Sequence, residues 1–253
     1  MAFTSISSNV TDKKNKMVKK FKIKLFADGA DLLSIKKLNK NNRIKGFTTN
    51  PSLMRKAGVN DYRKFEKSVL KIVKKKPVSF EVFSDDINEM EEQAREISSW
   101  GNNSFVKIPI TNTKGLKTNN LIKKLSKAGI KCNITAVLTI DQVKEVFSSV
   151  DKNTKTILSI FSGRIADTGR DPVKFFKEAI KICKSKKKLD LLWASTREVY
   201  NLYEAEKINA DIITVPYSIL NKLNLYKMNL KKLSLETVKT FYNDAKNARY
   251  NLD

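Results

Sequence analysis

The sequence predicts an α/β protein that folds as a single (β/α)₈ barrel, a TIM barrel, with an extra C-terminal helix. Three observations lead to this prediction. Eight short β-like segments recur along the chain, and amphipathic helical patterns separate them. The eight units fit into about 230 residues, which suits a closed barrel better than an open doubly wound sheet.

Each predicted strand is a short run rich in β-branched and aromatic residues, as strands usually are. Because a helical pattern follows nearly every run, we expect the strands to pair in parallel, with the helices outside. The predicted strands are 22–28, 44–50, 78–84, 105–111, 130–138, 156–163, 189–195 and 211–217.

The intervening segments repeat apolar residues at three- and four-residue steps, which is the helix period. The clearest predicted helices are 61–75, 88–101, 118–129 and 171–187, and a terminal helix covers 234–250. No linker interrupts this pattern, so the sequence predicts one domain over residues 21–253.

Residues 1–20 are polar and lack the apolar centre of a secretory signal peptide. We expect them to form a disordered leader outside the barrel. No run of 18 apolar residues occurs, so the sequence predicts no membrane span. With only two, widely separated cysteines, Cys132 and Cys183, the chain is expected to be cytoplasmic with reduced thiols.

The chain carries a formal net charge of +24, which attracts anions and raises the question of nucleic-acid binding. Only eight of its 50 basic residues are arginine, and the lysines are spread along predicted helix faces. No zinc finger and no basic-aromatic pattern of an RNA-binding sheet occurs. We therefore expect small anionic partners and no specific nucleic acid.

Several classes of chemistry are excluded by what the sequence lacks. It contains no histidine, which removes histidine-based triads and histidine-ligated metal sites. Two separated cysteines are a poor ligand set, and no glycine-rich phosphate loop occurs. We expect no metal site, and any catalysis must use Lys, Asp, Glu, Tyr, Ser or Thr.

Polar residues cluster where the predicted strands end. Since catalytic side chains of such barrels project from the carboxyl ends of the strands, we expect these residues to meet in one cavity. They are Asp28, Thr48, Asn50, Glu81, Lys107, Asn133, Thr135, Ser159, Ser195 and Arg197.

Lys107 stands out because it interrupts an otherwise apolar strand. Desolvation and nearby cations disfavour an ammonium, so such a lysine is a candidate amine nucleophile that forms a Schiff base with a ketone. Cleavage of a C–C bond then needs a carboxylate that takes up a proton, and Asp28 and Glu81 are the candidates. The alternative is a purely structural ion pair between Lys107 and Glu81.

Five segments, in order along the chain, resemble the class I aldolases of the transaldolase family. Together they are specific, whereas any one of them is modest support. They are GFTTNPSLMRKAG (46–58), VKIPITNTKG (106–115), CNITAVLTIDQV (132–143), ILSIFSGRIADTGRDP (157–172) and WASTRE (193–198).

The resemblance implies a catalytic role for four residues. Lys107 matches the Schiff-base lysine, and Asp28 matches the general acid/base of C–C cleavage and formation. Glu81 matches the glutamate that acts through a water on the imine steps, and Thr135 matches the threonine that holds this water.

A second group would bind the substrate. Asn50 and Ser159 resemble residues that bind the ketose hydroxyls, with Thr48 and Asn133 beside them. Arg164, Ser195 and Arg197 resemble the phosphate-binding group. Phe161 matches the position at which the related fructose-6-phosphate aldolases usually carry tyrosine.

The resemblance therefore implies a transaldolase, which moves a dihydroxyacetone unit from a ketose phosphate to an aldose phosphate. It implies no metal or organic cofactor, because the iminium itself is the electron sink, and it implies a homo-oligomer. The alternatives are a fructose-6-phosphate aldolase, an enzyme on another sugar (Gly29 replaces the family's usual threonine), and a catalytically silent barrel that binds anions or nucleic acid.

Individual residues also have simpler explanations. Asp28 could cap the following helix, and Thr48 and Asn50 could serve only the turn before Pro51. Arg164 could pair with Asp167, and Arg197 with Glu198 or Glu204. Arg170 and Asp171 are interpreted as residues that begin a helix, and Thr214 and Tyr217 as packing residues.

Overall fold

A computed structural model of the chain describes residues 21–252. Eight parallel strands form a closed barrel in which each strand pairs with the next and the last pairs with the first. The strands are β1 (Lys24–Asp28), β2 (Ile44–Thr48), β3 (Val78–Glu81), β4 (Ser104–Pro109), β5 (Cys132–Val137), β6 (Thr156–Ile160), β7 (Leu189–Trp193) and β8 (Ile212–Pro216).

Helices follow the strands in the order expected of βα units. They are α1 (Leu32–Asn39), α2 (Pro51–Lys56), α3 (Tyr62–Ile72), α4 (Ile87–Ser99), α5 (Asn119–Lys127), α6 (Ile140–Ser149), α7 (Ser162–Ala166), α8 (Pro172–Cys183), α9 (Tyr200–Lys207), α10 (Tyr217–Leu220) and α11 (Leu230–Ala248). A short 3₁₀ helix covers Asn221–Leu225.

The predicted fold class is confirmed, and each of the eight predicted strands is present. Most strands end earlier than predicted, because the residues after them begin loops or helices. For example, β2 ends at Thr48, since the Asn50 side chain accepts a hydrogen bond from the Leu53 amide and Pro51 opens α2. The interpretation of Asp171 is confirmed as well, because it caps α8 directly before Pro172.

The inside of the barrel is filled on its amino-terminal side by apolar side chains. One cluster of buried residues comes from five strands, some of them not adjacent, so it lies inside the ring: Phe26, Phe105, Ile157, Leu192, Ala194 and Ile212. We call this cluster the apolar plug. Gly46 on β2 leaves space for it, because a Cβ there would lie 2.5 Å from the Phe26 ring. The apolar plug separates the polar end of the barrel from the opposite end.

Residues 21–221 form the compact unit that contains the barrel. Residues 222–252 belong to a second unit that contains α11, a helix in which no residue is buried. The predicted leader, residues 1–20, lies outside the described residues. Between residues 21 and 252, no helix combines the length and the apolar character that crossing a bilayer requires.

Candidate active site

A layer of polar side chains lies directly above the apolar plug. Side chains of a strand alternate between its two faces, so residues two positions apart share a face. Two positions beyond Phe26, Phe105, Ile157 and Ile212 come, respectively, Asp28, Lys107, Ser159 and Thr214. The pleat thus brings these polar side chains to the carboxyl end of the barrel interior.

Lys107 is buried in this layer. Its Nζ lies 2.9 Å from Glu81 Oε2 and donates to the Thr49 carbonyl at 3.2 Å. The two ionic residues face each other because Glu81 on β3 is the register partner of Lys107 on β4. The ammonium therefore has one carboxylate and one carbonyl as its acceptors, and an amine that loses its proton has a carboxylate at hand.

Asp28, at the end of β1, is the second carboxyl group near the lysine. Burial raises its pKa, while the Lys107 ammonium and a hydrogen bond from Thr48 lower it in part. Thr48 Oγ1 donates to Asp28 Oδ1 at 2.7 Å and lies 2.6 Å from the Thr214 hydroxyl. Asp28 does not cap α1, because Asp31 does so. A carboxyl group with a raised pKa is suited to exchange protons with a substrate.

Asn133 is oriented by two hydroxyl groups. Ser159 Oγ donates to Asn133 Oδ1 at 2.7 Å, and Asn133 Nδ2 donates to Ser79 Oγ at 2.9 Å. These bonds settle which way the amide points. Thr135 lies two residues further along β5, and its buried hydroxyl has no hydrogen-bond partner among residues 21–252. That hydroxyl is available to a water or a substrate.

The strand carrying these residues is irregular at its end. Its pairing with β6 shifts between Ile134 and Val137, and Ala136 has a φ of 60°. A non-glycine residue with positive φ is uncommon, and such positions often lie at functional sites. The irregular stretch contains Thr135 and Ala136, near the end of β5.

The two arginines follow β6 and β7: Arg164 lies on α7, and Arg197 lies in the loop after β7. Arg197 donates through Nε and Nη2 to the two carboxylate oxygens of Asp167, and this lowers the pKa of Asp167. The Arg164 guanidinium lies 5.5 Å from the centre of the Phe161 ring. Both arginines are exposed, so their donors can be reached from solvent.

The backbone geometry at Ser195 and Gly163 allows α7 and the loop after β7 to pack closely. Ser195 has a φ of 63°, and a Cβ on Gly163 would lie 1.7 Å from the Ser195 carbonyl oxygen. Only glycine therefore allows α7 to approach the loop after β7 this closely. This contact brings α7, which carries Arg164, beside the loop of Ser195 and Arg197.

The predicted site residues differ in how closely the structure joins them. Lys107, Glu81, Asp28 and Thr48 form one group through direct bonds and charge interactions. The simpler explanation for Asn50, a local role before Pro51, holds in part, because its side chain caps α2. The pairing of Arg197 with Glu198 or Glu204 is wrong, because Asp167 is its partner.

Three polar contributors escaped the sequence prediction. Thr214, interpreted as packing, bonds Thr48, so that interpretation is wrong for its hydroxyl. Ser79 holds Asn133, and Asp167 holds Arg197. The period-two pattern of β3 and β8 could have found Ser79 and Thr214, whereas nothing in the sequence pairs Asp167 with Arg197 in preference to the nearer glutamates.

The arrangement combines an amine, two carboxyl groups and two exposed arginines at one end of a barrel. An amine beside a carboxylate can add to a carbonyl, and arginines bind phosphate groups well. Among the described residues, the Cys, Asp and Glu side chains form no group of three that could hold a metal ion.

Comparison with known proteins gives consistent results. Residues 25–253 match the sequence model of a family described as Transaldolase/Fructose-6-phosphate aldolase. A probable transaldolase of Nitrosopumilus maritimus is 37% identical over 216 residues, covering 85% of this chain and 92% of the relative. A probable transaldolase of Dehalococcoides mccartyi is 33% identical over 202 residues, covering 79% and 90%.

Solved structures with a similar fold are much more distant in sequence. Deoxyribose phosphate aldolase from Aeropyrum pernix aligns with a TM-score of 0.53 at 9% identity, covering 81% of this chain and 90% of that one. N-acetylneuraminate lyase from Mycoplasma synoviae aligns with a TM-score of 0.51 at 15% identity, covering 89% and 81%. At these identities the likeness concerns the fold alone.

Proposed function

Because this chain belongs to the transaldolase/fructose-6-phosphate aldolase family and is a transferase of the transaldolase type, we propose that it transfers a dihydroxyacetone unit from a ketose phosphate to an aldose phosphate through a Schiff base on Lys107. The observation that carries this proposal is the buried Lys107 amine, which lies 2.9 Å from Glu81. Burial raises the pKa of Asp28, and Asp28 is close enough to the same ammonium for its charge to offset part of that increase.

The first step is condensation. Lys107 passes a proton to Glu81, and the neutral amine adds to the C2 carbonyl of the ketose to give a carbinolamine. Glu81 then returns the proton, through a water held by Thr135, to the departing hydroxyl group. Water leaves and an iminium remains on Lys107. Glu81 serves as both base and acid, so the two proton transfers balance.

The second step breaks the C3–C4 bond. Asp28 takes the proton of the C4 hydroxyl, the C3–C4 electron pair moves toward the iminium, and the aldose leaves as an aldehyde. The dihydroxyacetone unit stays on Lys107 as an enamine. An acceptor aldose phosphate then enters, the same electron movement runs backward, and Asp28 returns the proton to the new hydroxyl group. Water adds to the resulting iminium, and the first step in reverse releases the product ketose and restores the Lys107 amine.

We assign substrate binding to two groups of residues, the polar layer around Lys107 and the residues that follow β6 and β7. Ser159, Asn133, Thr48 and Asn50 are proposed to bind the hydroxyl groups of the ketose, since three of them lie in the polar layer around Lys107. Arg164, Ser195 and Arg197 are proposed to bind the phosphate group. A dianionic phosphate offers Arg197 more charge than the Asp167 carboxylate that it would replace.

Two features bear on the substrate. Phe161, rather than tyrosine, and a glutamate at position 81 favour transfer over release of free dihydroxyacetone. Gly29 favours a second candidate, an enzyme of the same chemistry on another sugar, because a Cβ at position 29 would contact nothing within 4 Å. The space beside Asp28 is thus larger than a threonine would leave.

We further propose that the chain works as a homo-oligomer. Helix α11 has no buried residue and exposes large apolar side chains that fall on one side at the helical period: Leu230, Leu235, Val238, Phe241 and Tyr242. Burying such a face against another copy would remove it from water. A cytoplasmic location belongs to the same proposal, since Cys132 and Cys183 are buried free thiols.

Borohydride trapping tests the proposed mechanism. The protein is incubated with fructose 6-phosphate or sedoheptulose 7-phosphate, reduced, digested and mapped by mass spectrometry. We expect one adduct, on Lys107. A matched control is Lys117→Met, which removes an exposed lysine that also pairs with a glutamate, Glu145, and should leave the adduct unchanged. A protein without an adduct on Lys107 would contradict the proposal and point to a silent anion-binding barrel.

A second measurement separates transfer from free cleavage. Ketose phosphate is supplied with and without an acceptor aldehyde, and released dihydroxyacetone is measured. A transaldolase turns over only when the acceptor is present. Steady release without acceptor would reassign the chain to free aldol cleavage.

A further inference from the structure

The carbonyl group of Glu81 lies just beyond the end of the hydrogen-bond ladder between β2 and β3. On the side facing β2, the Phe47 amide donates to Pro77 O at 2.9 Å, and the Thr49 amide donates to Ser79 O at 3.1 Å. The next carbonyl on that side is Glu81 O, but β2 has ended at Thr48 and the chain enters α2 at residue 51. Residue 51 is proline, which has no N–H to donate.

A side chain from α3 replaces the missing donor. The Tyr62 hydroxyl donates to the Glu81 carbonyl oxygen, at a point where β2 has ended and no longer supplies an amide. Tyr62 is the first residue of α3, and Asp61 caps this helix by accepting from the Lys64 amide. The phenol is thus held at a fixed helix terminus rather than on a loose loop.

We propose that Tyr62 is a positioning residue for Glu81. It fixes the backbone at the last residue of β3 and thereby holds the Glu81 carboxylate against the Lys107 amine. This inference rests on the proposed function, because it assigns Tyr62 to the proton transfers that Glu81 carries out there. Tyr62 itself touches no reacting atom in this scheme.

The surroundings of Tyr62 support a permanent donor role. Its ring packs edge-to-face on Phe83, with ring centroids 5.1 Å apart, and Phe83 follows Glu81 by two residues. Burial raises the pKa of Tyr62, so its hydroxyl keeps its proton. One turn later on α3, Glu66 is fully buried, and burial raises the pKa of its carboxyl to about 9. A neutral Glu66 places no negative charge beside the Tyr62–Glu81 bond at neutral pH.

The chemistry predicts which kinetic constant depends on Tyr62. Glu81 acts when the carbinolamine forms and loses water, and the hydroxyl and phosphate groups of the substrate are bound by other residues. A displaced Glu81 carboxylate would slow these proton transfers and leave ground-state binding unchanged. Loss of the Tyr62 hydroxyl should therefore lower kcat and leave KM almost unchanged.

The test is Tyr62→Phe, which removes one oxygen atom and keeps the ring on Phe83. We expect kcat to fall about 10- to 50-fold, with KM for the ketose phosphate within about twofold of the unchanged protein. The rate at which the borohydride-trappable adduct forms on Lys107 should fall by the same factor. Tyr200→Phe, which removes an exposed phenol on α9, is the matched control and should change neither constant.

A double-mutant cycle separates positioning from a general structural effect. Once Glu81→Gln has removed the acid/base group, adding Tyr62→Phe should reduce the residual kcat by less than about twofold. Equal losses in both backgrounds would overturn the inference, and so would a normal kcat in Tyr62→Phe. If the unchanged protein forms no adduct, the proposed function fails and the inference fails with it. A normal adduct in the unchanged protein together with a normal rate in Tyr62→Phe overturns the inference alone.

Discussion

Two ion pairs at the carboxyl end of the barrel differ in their access to water. In the inner pair, Lys107 and Glu81, the side chains are 8% and 17% exposed. In the outer pair, Arg197 and Asp167, they are 50% and 52% exposed. Both pairs join a cation on one βα unit to a carboxylate on a neighbouring unit, so their difference lies mainly in burial.

The difference in burial suits the two ion pairs to different roles. A buried ion pair carries a desolvation penalty of several kcal/mol, so passing one proton from the amine to the carboxylate would relieve part of it and give the nucleophile of the proposed mechanism. An exposed pair contributes about 0–1 kcal/mol, so a phosphate group can replace its carboxylate at little cost. Burial suits the inner pair to chemistry, and exposure suits the outer pair to exchange of ligands.

Removing the inner cation should have the largest effect. We expect Lys107→Met to lower turnover at least about 10⁴-fold, because the proposed mechanism forms its Schiff base on the Lys107 amine. Breaking a buried pair also lowers the free energy of unfolding by about 3 kcal/mol, but the apolar methionine stem keeps the barrel folded. Product assays, far-UV circular dichroism and urea unfolding measure these outcomes. Substantial turnover in a folded variant would refute the assignment of the nucleophile.

Removing the outer cation should affect binding instead. Arg197→Ala is expected to raise KM for the phosphorylated ketose about 10- to 100-fold, because hydrogen bonds to charged groups contribute about 1.5–3 kcal/mol. KM for the dephosphorylated analogue should stay nearly constant. Steady-state kinetics with both substrates measure the difference.

Asp167→Asn is the matched control, because it breaks the same ion pair and leaves the guanidinium in place. KM for the phosphorylated ketose should not rise in this variant. Similar increases for both substrates in Arg197→Ala, or equal increases in the two variants, would show that Arg197 does not bind the phosphate group.

Glu66 differs from both ion pairs, because it is buried and faces no cation among residues 21–252. The Glu66 carboxyl is fully buried and forms no ion pair among the described residues; burial raises its pKa from 4.5 to about 9, and the neighbouring Tyr62 hydroxyl offsets part of the rise. Between these values the folded chain keeps a proton that the unfolded chain releases. Glu66 therefore lowers stability as pH rises from 4.5 toward 9, by at most about 1.4 kcal/mol per pH unit.

Glu66→Gln should remove this dependence on pH. The variant gains stability over the unchanged protein as pH rises from 5 to 8, as measured by urea unfolding at several pH values. Glu92→Gln, which removes an exposed carboxyl on α4, should leave the slope unchanged. Parallel curves for Glu66→Gln and the unchanged protein would mean that Glu66 is ionised in the fold.

The smallest effect is expected at Phe161, whose ring packs on the apolar plug and lies under Arg164. Phe161→Tyr adds a hydroxyl group to a ring that lies between the apolar plug and Arg164. We expect the fraction of dihydroxyacetone released without transfer to rise about two- to fivefold, the size of one hydrogen bond. Phe161→Leu, which adds no hydroxyl, should not raise it. An unchanged product ratio in Phe161→Tyr would argue against this role.

Much of the site around the inner pair could be predicted, because a single lysine in an apolar strand stands out in the sequence. Lys107, Glu81 and Asp28 each end or interrupt a strand whose pattern is clear. The outer pair was less predictable, because Asp167 and Arg197 lie in loops, where residues do not follow a strand or helix period. Tyr62 was not predicted at all, since its partner is the backbone carbonyl of Glu81, 19 residues later in the chain, and no side-chain pattern marks that bond.

Sequence by itself determined the eight βα units, the parallel pairing and the polar ends of the strands, because the strand and helix periods are local properties of the chain. Tertiary structure alone decided which polar groups meet. Closing the barrel places β1 beside β8 and sets Glu81 against Lys107 in register, so residues far apart in sequence share one desolvated space. The free energies of ion pairs and hydrogen bonds depend on that shared burial, which no local pattern encodes.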